Sequence, residues 1–147
     1  MEPTRQEDDR FGGLDFFDYA ANRLTLDDWV SVSQIFRPRF VEVRGCVIWE
    51  RAYQETNFAE WHRTLNGDTS TIEATLNQLR MWQLIDMDEI GTTEERLVRG
   101  IADDISSCWR ASLESAYPHR EFDGGVVETE DGPVVRFSTR RGGVHCG

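Results

Sequence analysis

His62 lies in the run FAEWHRTL with Glu60 two residues before it and Asp68 and Glu73 a few positions on, the residue types of a general base oriented by a carboxylate. Side chains two apart on a helix do not face each other, so Glu60 is not placed to hold that imidazole. His62 therefore reads as an exposed or rim residue. Paired acids at Asp27-Asp28, Asp88-Glu89, Glu94-Glu95 and Asp103-Asp104 suggest carboxylate-pair or metal chemistry. Adjacent helical residues diverge, however, and neither a calcium-loop pattern nor H-E-x-x-H occurs, so no metal site is expected. His145-Cys146 offers two soft ligands, but two neighbours at a chain end close no tetrahedral site.

Nucleophilic chemistry fares no better. Cys46 stands beside Val47 and Ile48, which implies burial and a raised thiol pKa. Cys108 reads the same way, as a small core hydrophobe, and three widely spaced cysteines do not form a disulfide framework. All 16 basic residues are Arg. Without Lys, Schiff-base, pyridoxal-phosphate and Walker-type mechanisms are excluded. There is no G-x-S-x-G and no G-x-G-x-x-G, so neither catalysis nor a cofactor is expected.

Charge is the more informative feature. Asp and Glu number 27, giving a formal net charge of -11 over 147 residues. Such a chain repels phosphate backbones and anionic lipid at long range and favours a basic protein partner. Between Trp82 and Asp104, seven acids (Asp86, Asp88, Glu89, Glu94, Glu95, Asp103 and Asp104) face two arginines, Arg96 and Arg99. Gathered in space, they would steer a cationic partner, with Trp82 as an aromatic anchor. Arg136, Arg140 and Arg141 form a basic cluster near the end.

These observations lead to a non-catalytic acidic module that engages a basic partner, by analogy with an immunity protein or inhibitor. An alternative is a small-ligand binder or small enzyme with an aromatic pocket of Trp49, Tyr53, Trp61 and His62. A nucleic-acid mimic shares the acidity but needs carboxylates spaced like phosphates. The start, MEPTRQEDDR, lacks the basic and apolar regions of a signal peptide, and no run is long enough for a membrane span, so a cytoplasmic protein is expected.

The elements that must position these residues follow from periodicity. Asp15 and Asp18 open a short helix through Phe17, Ala21 and Leu24. Thr25 and Asp28 form a capping box for a second, carrying Trp29, Val32, Ile35 and Phe36 as far as Arg37-Pro38. RFVEVRGCVIWERAY is β-rich; Gly45 marks either a hairpin turn with Arg44 or a bulge in one bent strand. Asn57 caps a helix closed by Asn66-Gly67. Ser70 with Glu73 predicts a helix continuing through TIEATLNQLRMWQLI. Thr92 with Glu95 predicts the longest helix, to Tyr117-Pro118, with an inward stripe of Val98, Ile101, Ile105, Cys108 and Ser112 that Leu97, Trp109 and Leu113 widen.

Two alternating runs around Asp131-Gly132 predict a hairpin, with Pro133 drawing Glu130 to Pro133 into a longer loop. Residues 1–13 read as a flexible arm, 142–147 as a flexible tail. The segment 14–141 reads as a single α+β domain of four or five helices, a short central strand pair and a C-terminal β-hairpin.

Overall fold

The computed structural model describes residues 10–141, and the chain groups into two compact units, residues 1–34 and 35–147. Residues 1–9 and the whole of 142–147, where an arm and a tail are expected, lie outside the described residues. In the first unit, Asp15 caps α1 (Phe16–Arg23) by accepting the Asp18 N–H at 2.7 Å. The expected box also forms. Asp28 accepts the Thr25 N–H at 2.9 Å and Thr25 accepts the Asp28 N–H at 3.1 Å, opening α2 (Leu26–Phe36).

The second unit takes in the last two residues of α2 and then a hairpin of β1 (Phe40–Val43) and β2 (Cys46–Trp49), which resolves the alternative left open by the sequence. Arg44 (φ 52°) and Gly45 (φ 84°) are both left-handed, as a tight type I′ turn requires. Three short helices follow: α3 (Glu50–Gln54), α4 (Phe58–Thr64) and α5 (Thr69–Leu76). Asn57 caps α4 as its type predicts. With α6 (Thr92–Ala116), six α-helices are formed among the described residues, and the mixed α+β class holds.

The expected helix through Ile85 instead stops at Leu76. Asp68, not Ser70, is the cap: its carboxyl accepts the hydroxyl and the N–H of Thr71, and these bonds, the hydroxyl first, hold its pKa below the usual range. Gln78–Arg80 becomes β3 and Met81–Gln83 a 3-10 turn. Leu79 and Met81 are both buried, a period of two that competes with the helical period sharing Leu79. Pairing decides: β3 joins β5 (Gly132–Thr139), which also pairs with β4 (Phe122–Thr129), in an antiparallel sheet of order β3-β5-β4. The C-terminal hairpin is thus built into a sheet separate from β1-β2.

Its turn is tighter than expected. Thr129 pairs with Gly132 across Glu130-Asp131, so the residue closing the turn is Gly132, and Pro133 is not asked for an N–H there. Gly132 has φ 127°, and a side chain on it would press on Met87.

The main core packs α6 against the sheet through Val98, Ala102, Ile105, Trp109 and Leu113 with Leu79, Phe122, Val135 and Phe137. Relative to expectation the stripe is rotated. Trp109 and Leu113 point inward as expected and Ala102 joins them, while Leu97, Ile101 and Cys108 are exposed. Centring the bulky indole lets Trp109 meet Phe40 at 5.6 Å and Trp49 at 4.9 Å between ring centres, and its Nε1–H donates to the Ile35 carbonyl at 2.8 Å. A second cluster holds Cys46, Ile48, Phe58, Ile72 and Leu76. β2 is therefore buried on both faces, with Val47 in one cluster and Cys46 and Ile48 in the other.

Candidate functional site

Three of the seven acids, Asp86, Asp88 and Glu95, meet at the start of the long helix. Gly91 precedes α6, and its N–H donates to Glu94 Oε1 at 3.0 Å, so the helix starts one residue earlier than the Thr92-Glu95 box predicts. That capping role occupies Glu94. Glu95 falls on the next position, at the edge of a cleft of about 900 Å³. One wall is the first turns of α6, with Thr92, Glu95, Arg96 and Arg99. A second is Trp82 with Asp86, Met87 and Asp88, the last two from the 3-10 turn Met87–Glu89. The third wall is the β4-β5 tip, Glu128 to Pro133.

Six carboxylates, Asp86, Asp88, Glu95, Glu128, Glu130 and Asp131, thus share the cleft with two guanidiniums. Arg99 fixes part of this arrangement: its Nη1 bonds Glu128 Oε2 at 2.7 Å and its Nε bonds Asp103 Oδ1 at 3.1 Å. Those hydrogen bonds, Glu128 first, raise the guanidinium pKa above its ordinary value. Both pairs are solvent-exposed and add little stability; the Glu128 pair ties the hairpin tip to α6, and the Asp103 pair lies within the helix. Trp82 is half-buried at the cleft wall, an aromatic surface among carboxylates.

Of the eight residues singled out in the sequence, the cleft brings together Trp82, Asp86, Asp88 and Glu95. Asp103 reaches it only through Arg99, Glu94 is the helix cap, and Glu89 and Asp104 are exposed outside the lining. Sequence reasoning missed Glu128, Glu130 and Asp131, which are remote in the chain and arrive by strand pairing. The run ETED at a predicted turn was the available signal.

The basic cluster is largely neutralised where it folds. Arg140 pairs with Asp123 and Glu121, and Arg141 with the buried Glu73. The aromatic group divides: Trp49 packs on Trp109 in the main core, whereas Tyr53 and His62 each contact Phe58. Trp61 is half-buried on α4. Among the described residues no group of three His, Cys, Asp or Glu is placed to hold a metal ion, and no helix is long and apolar enough to cross a membrane. Comparison with family models, curated proteins and solved structures finds no match.

Proposed function

We propose that this chain is a non-catalytic acidic module that binds a basic protein partner through the cleft between α6, the Met87–Glu89 turn and the β4-β5 tip, in the manner of an immunity protein or inhibitor. The observation that carries this reading is the convergence of six carboxylates from three separate segments around Trp82. A concave surface with an excess of one sign, here six carboxylates against Arg96 and Arg99, focuses the electrostatic field and accelerates encounter with the opposite charge. Trp82 supplies apolar area for contact once the partner has arrived. We take the setting to be the reducing cytoplasm, consistent with the free thiols Cys46 and Cys108.

An arginine-rich peptide is the direct probe. Its association should be compared for wild type, for a cleft variant (Asp88→Arg, Glu95→Arg, Glu130→Arg) and for an equally charged variant outside the cleft (Asp27→Arg, Glu55→Arg, Glu114→Arg). The cleft variant should weaken binding about tenfold or more at low salt and the outer one far less. Equal losses in both would reduce the effect to net charge and refute the site.

A further inference from the structure

α1 and α2 present more apolar surface than they bury. Neither helix contains a buried residue. Phe16 is 66% exposed, Phe17 68%, Leu26 77%, Trp29 48%, Val30 45% and Val32 36%. On α2, the successive 100° steps place Leu26, Trp29, Val30 and Val32 along one side and Asp27 and Asp28 on the other. Ser33 falls within the apolar side, but its hydroxyl is returned to the Val30 carbonyl at 2.9 Å. The face therefore offers no charge, and the indole N–H of Trp29 is its one polar group beside that hydroxyl.

Helices of 8 and 11 residues are marginal in water unless an apolar face is packed. An uncharged face does not select a charged partner; a second uncharged face matches it. We propose that the α1–α2 segment is a homodimerisation surface, occupied by the same segment of a second copy of this chain. With aromatic side chains carrying about 150–250 Å² each, the exposed fractions leave roughly 600 Å² of apolar side-chain surface per copy. Two copies bring roughly 1,200 Å² together, the lower end of a specific interface. A two-fold pairing uses the same patch twice, so it closes at the dimer.

Like charge opposes this association, since each copy carries -11. Added salt screens that repulsion, whereas it weakens an acidic cleft's hold on a cationic peptide. Sedimentation velocity on the full chain should therefore show a monomer–dimer equilibrium that shifts toward dimer between 50 and 500 mM salt. A Leu26→Asp, Val30→Asp variant should be monomeric at concentrations where the wild type is dimeric, with its peptide binding retained. Wild type that stays monomeric at a few hundred micromolar in high salt overturns the proposal. So does a dimer that survives in the double variant with the same dissociation constant.

Discussion

Glu73 and Asn77 stand one helical turn apart at the end of α5 and together bond the outer edge of β2. Glu73 Oε2 accepts the Val47 N–H at 2.6 Å, Asn77 Nδ2 donates to the Val47 carbonyl at 2.8 Å, and Asn77 Oδ1 accepts the Trp49 N–H at 2.8 Å. Because β2 is buried on both faces and paired to β1 on one edge, its other edge would otherwise hold orphan backbone groups. Glu73 also accepts the Thr139 N–H at 2.7 Å and hydroxyl at 2.9 Å, tying the end of β5 to β2.

Removing either side chain should be costly. Glu73→Ala strands the Val47 and Thr139 N–H groups and removes the carboxylate that pairs with Arg141, a loss of about 3–5 kcal/mol in urea unfolding. Asn77→Leu keeps the bulk but leaves the Val47 carbonyl and the Trp49 N–H unbonded, a loss of about 2–3 kcal/mol. A change below about 1 kcal/mol for both would show that water replaces these bonds.

Two adjacent glycines should behave differently. Gly124 and Gly125 both have φ near 150°, so alanine is strained at either. Only at Gly124 would the added Cβ also lie 2.1 Å from the Arg136 carbonyl oxygen and 2.7 Å from the Phe137 ring. Gly124→Ala should lower the melting temperature far more than Gly125→Ala, for which the space is open. Equal effects would mean that backbone strain alone sets the cost.

Phe137 and Trp109 anchor the main core. Phe137→Ala should cost about 3–5 kcal/mol by cavity formation. Trp109→Phe retains an aromatic ring but loses the bond to the Ile35 carbonyl, so it should cost about 1–1.5 kcal/mol from that bond plus a smaller packing loss. Denaturant titrations of the two variants provide the check.

Thiol chemistry should separate Cys46 from Cys108. Burial, with the Glu73 carboxylate adding to it, pushes the Cys46 thiol up to about 11. Peptide mass mapping after alkylation at pH 8 should find Cys108 modified and Cys46 intact. Burial and the Glu42 carboxylate likewise raise Tyr117. Raised native pKa values mean that the folded state holds these protons longer than the unfolded one, so stability is full below about pH 9 and falls toward pH 11. A rise in urea midpoint across that window would contradict the assignment.

Local codes in the sequence determined a good part of this protein. Thr25 and Asp28 cap one helix and Asn57 another, Arg37-Pro38 closes α2, and the alternation around Asp131-Gly132 makes a hairpin, because each depends on neighbours within a few residues. Acid density in 86–95 likewise marked two walls of the cleft. Tertiary structure alone decided that Gln78–Arg80 is a strand, since its apolar pattern suits both periods and β5 supplies the partner edge. It also decided which acids share the cleft, bringing Glu128 to Arg99 across 29 residues of chain. Glu73, which reads as a helix-start acid, is buried because its acceptors are needed by Val47 and Thr139, 26 and 66 positions away. Hydrogen-bond demands of a buried strand edge are set by what lies beside it in space, and spacing along the chain does not encode that.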